Sequence, residues 1–310
     1  MPEPLLERFR QGDRLALARL LSLAARGERL GETLAGTPGP AKPSRVVAIT
    51  GSGGVGKSTL IGKLIELLRR QGQTVAVLAC DPQSPLTGGA LLGDRFRMPT
   101  RPDDEGVFIR SLAAAPGRGA VADHLSVLVR ILEAYGFDVI LIETAGAGQG
   151  DTAVRELADC TVLLLQPETG DDLQWQKAGL LEVADLIAIH KADLPQAEQV
   201  EAQVRGMISL QGGEATPVLR VSAKTGEGVE VLWTAIAGQA LRRTRAESET
   251  LELLRLAQDT LAMWFSAAQV DRHSALQQLL DKWEHGSIED AGAAESLLNL
   301  LQKEYGSRRE

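Results

Sequence analysis

The sequence predicts an α/β fold. A mostly parallel sheet is covered by helices on both faces, with a helical extension before it and a wholly helical segment after it. Two observations carry this. Short continuous apolar runs recur through the middle of the chain, and stretches with apolar residues at helical spacing alternate with them. Strands buried on both faces read as such runs, and their alternation with helices is the mark of parallel pairing through crossovers. A third observation is a complete glycine-rich turn between the first run and the first of these helices.

Taken in order, residues 5–30 carry Leu and Ala at helical spacing between arginines, which predicts one or two amphipathic helices. A Gly- and Pro-rich linker follows, and residues 1–44 form the N-terminal helical extension. Strands are expected at 46–50, 74–79, 107–111, 138–143, 161–166, 186–190 and 216–222. Helices are expected at 59–70, 121–135, from 171 or 172 to 183, 196–209 and 228–240. These elements make one nucleotide domain over 45–240. Residues 241–310 form the last region, helical from 247 onward, with apolar faces at Leu261, Trp264 and Phe265 and at Leu276, Leu279, Leu280 and Trp283.

The 310 residues are 44% hydrophobic and 24% charged, with a net charge of −8. No concentrated basic region is present, so neither nucleic acid nor an anionic membrane is an expected partner. The two cysteines, Cys80 and Cys160, border strand-like runs and are expected to be buried thiols. No apolar stretch reaches about 18 residues, and the N-terminus resembles neither a signal nor a transit peptide, so the expected location is the cytoplasm.

Gly51, Ser52, Gly53, Gly54, Val55, Gly56, Lys57 and Ser58 fit G-x-x-x-x-G-K-[ST]. The glycines let backbone N–H groups curl around phosphate oxygens, and the new helix adds its positive end. Lys57 is expected to reach the β- and γ-phosphates, Ser58 to ligate Mg²⁺, and Thr59 to contact the α-phosphate. Asp81 follows the second strand and Glu143 ends the fourth, so both carboxylates belong at the ligand end of a parallel sheet. In Glu143-Thr144-Ala145-Gly146, the Gly146 N–H suits the γ-phosphate. Gln149 can orient water or be a plain loop amide. His190-Lys191-Ala192-Asp193 resembles the N-K-x-D motif, with Asp193 as acceptor for guanine N1–H and its exocyclic amine. Adenine cannot donate at N1, so a carboxylate there discriminates against it. Ser222-Ala223-Lys224 resembles the loop whose backbone N–H reads guanine O6. The ring of His190 can serve either guanine N7 or a neighbouring loop.

With these residues in place, the chain resembles the MeaB/ArgK group of P-loop GTPases, of the SIMIBI class, over nearly its whole length. Besides the P-loop, the resemblance rests on Asp81-Pro82-Gln83-Ser84-Pro85, Leu92-Gly93-Asp94, Phe108 to Ser111, Glu143 to Gln149, Gly170-Asp171-Asp172-Leu173-Gln174 with Lys177, and His190 to Asp193. It implies hydrolysis of GTP to GDP with Mg²⁺, coupled to a protein partner. The partner it implies is an adenosylcobalamin-dependent acyl-CoA mutase, chiefly methylmalonyl-CoA mutase, whose cofactor loading, protection or reactivation the GTPase attends. It also implies a homodimer formed through a C-terminal helical arm. Asp81, Asp94 and Glu143 take the positions of the group's acids around metal and switches. Residues 167–178 take those of its third switch, where Asp171, Gln174 and Lys177 respond to nucleotide and partner. The chain departs from the pattern at His190, where Asn is usual, and at Gln83, Ala145 and Ala147. Competing readings are a P-loop kinase, which needs an acceptor site, a GTPase that inserts a metal, and a protein whose nucleotide is structural.

Overall fold

Seven strands carry the nucleotide domain: β1 (Arg45–Gly51), β2 (Val75–Pro82), β3 (Val107–Ala114), β4 (Val139–Glu143), β5 (Cys160–Leu165), β6 (Leu186–His190) and β7 (Val218–Val221). The computed structural model describes residues 3–26, 42–82, 104–114, 124–144, 151–167, 181, 184–210, 216–241, 245–270 and 273–306. The strands form one sheet in the order β3-β2-β4-β1-β5-β6-β7. All six pairings are parallel. The strand that leads into the phosphate loop therefore lies at the centre, between β4 and β5.

The helices of this unit are α1 (Glu3–Arg10), α2 (Arg14–Ala25), α3 (Lys57–Arg70), α4 (Leu125–Tyr135), α5 (Asp151–Leu157), α6 (Ala197–Leu210) and α7 (Val229–Gly238). Side chains alternate across each strand. Val46 and Ala48 of β1 join one cluster with Leu17, Leu20 and Leu21 of α2 and Leu128 and Leu132 of α4. Val47 and Ile49 join the other, with Leu60, Ile61 and Leu64 of α3 and Leu232 and Trp233 of α7. A third cluster buries Leu163, Ile187 and Ile189 against Val204 of α6. Cys80 and Cys160 are buried thiols, as expected.

The helical extension is part of this core. Asp13 caps α2 by accepting from the N–H groups of Leu15 and Ala16. Arg14 donates to the carbonyls of Glu105 and Val107, and its guanidinium lies 5.8 Å from the Phe108 ring centroid. The extension is thereby fixed beside the edge strand β3.

Register is secured at the amino ends of the strands by three carboxylates. Asp138, just before β4, accepts from the N–H and hydroxyl of Thr74, both at 2.8 Å. Asp159, just before β5, accepts from Val46 N–H at 2.8 Å while its own N–H donates to the Val46 carbonyl. Asp185, just before β6, repeats that exchange with Thr161, accepting at 2.7 Å. A one-residue slip would send every side chain to the wrong face.

The chain divides into two compact units, residues 1–243 and 244–310. The second contains α8 (Arg245–Val270), α9 (Ser274–Glu284) and α10 (Asp290–Tyr305). Its buried residues Ala268, Leu276, Leu301 and Tyr305 pack with Leu261, Trp264, Phe265 and Leu280. Trp283 is largely exposed and donates from its indole to Asp290, whereas Leu253 and Leu254 of α8 are 70% and 55% exposed.

Several expectations differ in extent. The paired strands β2 and β3 run on to Pro82 and Ala114, with Asp81 opposite Ala113, so Asp81 lies within a strand end and not after it. Helix α3 starts at Lys57, two residues earlier than expected. Helix α5 was not anticipated: seven residues give too short a window for periodicity. The helix expected from 171 or 172 lies outside the described residues except at its end.

Candidate nucleotide site

The carboxyl ends of β1, β4, β6 and β7 carry those predicted residues that the structure describes, from Gly51 to Thr59, Glu143, His190 to Asp193 and Ser222 to Lys224. Gly51 ends β1 at φ 144°, and a Cβ there would meet the Leu164 carbonyl oxygen of β5 at 2.5 Å. Gly56 lies at φ 101°, and a Cβ there would fall 2.5 Å from Cε1 of His190. The loop is thus shaped by a left-handed turn and by neighbours that leave no room for a side chain at Gly51 or Gly56. Gly56 gives α3 no side-chain cap, so the first N–H groups of the helix remain available to an anion.

Lys57 is only 7% exposed, and its ammonium donates to the carbonyls of Gly51 at 2.9 Å and Ser52 at 3.1 Å. Its charge sits inside the curl of the loop. The Ser58 hydroxyl donates to Oε1 of Glu143 at 2.7 Å, and both residues are buried. A buried hydroxyl and carboxylate are hard oxygen donors beside a phosphate loop, which is the chemistry Mg²⁺ favours. The end of β4 is tied to β1. Thr144 donates from its N–H to the Ile49 carbonyl, and its hydroxyl to that of Thr50 at 3.1 Å. Thr50 was missed from sequence, though a hydroxyl ending the apolar run VVAIT was the available signal.

The second half of the site follows β6 and β7. Ser222 donates from its hydroxyl to Oδ1 of Asp193 at 2.7 Å, and the Lys224 ammonium stands 3.7 Å from Oδ2. The Ser222 hydrogen bond, with Lys224 adding, holds the Asp193 carboxyl below the ordinary carboxylate range, so it is an anion at neutral pH. Lys191 takes φ 58°, a left-handed turn that starts the segment, and the N–H of Ala192 donates to the Val221 carbonyl.

His190 links the two halves. Its ring is buried, with Nδ1 2.8 Å from the Val55 carbonyl. Its Nε2 accepts from the Ala223 N–H at 3.3 Å. A carbonyl only accepts and an amide N–H only donates, so the ring is neutral with its proton on Nδ1. Burial keeps its pKa below the ordinary value of 6.5, with Lys191 acting the same way and the Val55 carbonyl and Asp193 opposing. Of the two roles open to the ring in the sequence, the structure displays the link between loops.

Asp94, Gly146, Gln149 and Lys177 lie outside the described residues, as do nearly all of 167–178. The backbone of Asp81 is placed by β2, at the same end of the sheet as the phosphate loop.

A glycine-rich loop at the centre of an all-parallel sheet, closed by a buried Lys, Ser and Glu and faced by an ionised Asp two strands away, defines a P-loop nucleotide-binding protein. The chain belongs to the MeaB/ArgK family of GTPases: residues 7–272 match the family described as Methylmalonyl Co-A mutase-associated GTPase MeaB. GTPase ArgK of Escherichia coli is 32% identical over 322 aligned positions, covering 97% of this chain and 96% of the relative. Methylmalonic aciduria type A homolog, mitochondrial, from mouse is 32% identical over 274 positions, covering 84% of this chain and 66% of that protein. A solved structure described as LAO/AO transport system kinase superposes with a TM-score of 0.67 at 26% identity, covering 96% of this chain and 97% of that one. Membership implies the GTP binding and hydrolysis typical of P-loop GTPases.

Proposed function

We propose that this GTPase works with Mg²⁺ as the chaperone of an adenosylcobalamin-dependent acyl-CoA mutase, methylmalonyl-CoA mutase or a near relative. In this reading it gates cofactor loading and protects or reactivates the mutase. The observation that supports it best is the convergence of Lys57, Ser58 and Glu143 at one end of the sheet, with the Asp193–Ser222 pair beside them. The family description supplies the link to a mutase.

Each residue has a task in this reading. The loop amides from Gly51 to Gly56 and the first turn of α3 hold the phosphates, with Thr59 at the α-phosphate. Lys57 exchanges its two loop carbonyls for β- and γ-phosphate oxygens, where charge develops during transfer. Ser58 and Glu143, with Asp81 and Asp94, would hold the metal directly or through water. When bound, Mg²⁺ neutralises charge on the phosphate oxygens. Gly146 senses the γ-phosphate, Gln149 positions water, and Lys177 belongs to the segment that answers nucleotide and partner. Asp193 accepts from guanine N1–H and the exocyclic amine, with the Ser222–Lys224 loop against the same base edge.

The test is a pull-down from the native cell on immobilised protein, with GDP or with a non-hydrolysable GTP analogue. Nucleotide-dependent recovery of a cobalamin-dependent mutase is expected. Recovery of a small-molecule kinase substrate pathway enzyme, or of no mutase under either nucleotide, sinks the chaperone reading.

A homodimer built on α8 to α10 completes the proposal. Leu253 and Leu254 lie adjacent and exposed on α8, an arrangement a lone helical unit gains by covering. Light scattering at micromolar concentration should give a dimer for the full chain and a monomer for residues 1–243. A monomeric full chain contradicts it.

A further inference from the structure

The link through His190 uses a group that the base itself requires. The Ala223 N–H lies in the loop whose Ser222 hydroxyl holds Asp193. A carboxylate and an amide N–H side by side match the edge of a purine that carries a ring N–H and an adjacent carbonyl. Asp193 accepts from the ring N–H, and the amide donates to the carbonyl. In this structure that amide points to Nε2 of His190. The ring and the base carbonyl cannot both have its full hydrogen bond.

We propose that His190 competes with the guanine carbonyl for the Ala223 N–H, and that guanine nucleotide binding is therefore coupled to proton uptake at His190 Nε2. The inference rests on the guanine reading of the site. When the base carbonyl takes the Ala223 N–H, Nε2 loses its donor in a buried position and its lone pair faces the carbonyl oxygen. One proton from solvent added to Nε2 turns that repulsion into an N–H···O hydrogen bond. Nδ1 keeps its proton and its bond to the Val55 carbonyl, so no other bond changes. An Asn at this position has no proton to gain.

The groups around the ring set the balance. From the phosphate loop it meets the uncharged Val55 carbonyl and the Gly56 backbone. From the loop after β7 it meets the Ala223 amide, with Ser222 and Lys224 both engaged on Asp193. Its own segment contributes Lys191, which opposes a proton, and Asp193, which favours one. Burial keeps the free ring neutral at neutral pH, so the uptake belongs to the bound state. The sign follows: binding that takes up a proton strengthens as pH falls.

The test is titration calorimetry of the full chain with GDP, near neutral pH, in buffers of different ionisation enthalpy. Wild type is compared with His190→Asn and His190→Gln. Wild type should take up a fraction of a proton more than either variant. Its GDP affinity should rise relative to theirs from about pH 8 to about pH 6, at no more than about tenfold per unit. Phosphate ionisation is common to all three and cancels. GDP binding with equal proton counts in wild type and both variants overturns the inference and leaves the GTPase reading standing. Failure of every form to bind guanine nucleotides overturns both.

Discussion

Lys57→Ala is expected to leave a folded protein whose GTP hydrolysis falls by on the order of 10³-fold. The ammonium is buried within the phosphate loop and already held by two of its carbonyls, at 2.9 and 3.1 Å. Its removal takes away a positive side chain that the structure places inside the curl. The loop is shaped by Gly51, Gly56 and their neighbours, so the fold does not depend on the ammonium. Phosphate release measured beside a circular dichroism spectrum checks both halves. Undiminished turnover in the folded variant would remove Lys57 from the reaction.

Asp193→Asn is expected to reverse base preference. The variant keeps an acceptor for the Ser222 hydroxyl but turns the other oxygen into an amide NH2 donor. Guanine then presents donors to a donor. Losing a hydrogen bond to a charged acceptor costs about 1.5–3 kcal/mol, and an unmatched donor adds to it. GTP affinity should fall by roughly 100-fold or more, taking about 3 kcal/mol in all. Xanthosine triphosphate, with a carbonyl in place of the exocyclic amine, should gain. ATP should gain as well, because the new N–H can donate to adenine N1, which the carboxylate could only repel. Competition with a fluorescent nucleotide measures all three, and an unchanged GTP affinity would move the base away from Asp193.

The parts of this fold that were legible from sequence are those where one signal sufficed. The run Leu186–His190 matches its strand residue for residue, because it is buried on both faces and bounded by polar residues. The phosphate loop was legible because its glycines serve backbone geometry, which sequence records directly. Pairing between strands is recorded less directly. Nothing in Asp81 or Pro82 announces a strand, yet β3 draws both into the sheet by offering Ala113 and Ala114. His190 shows the same limit within the site. Its identity permits two roles, and only the positions of Val55 and Ala223, 135 residues before it and 33 after, separate them. The roles of Asp138, Asp159 and Asp185 were not legible at all, since each partner lies on another strand or, for Thr74, just before one.

Those three aspartates set the two rims of the sheet apart. At the amino rim, alignment is decided by hydrogen bonds that involve no ligand. At the opposite rim, glycines and connecting segments meet the nucleotide. A change at open positions of the nucleotide-facing segments, such as Gly53 or Lys224, therefore leaves strand alignment untouched, whereas a change at Asp159 or Asp185 disturbs it far from any chemistry. At those open positions the residues that meet the nucleotide can change without renegotiating how the protein is built.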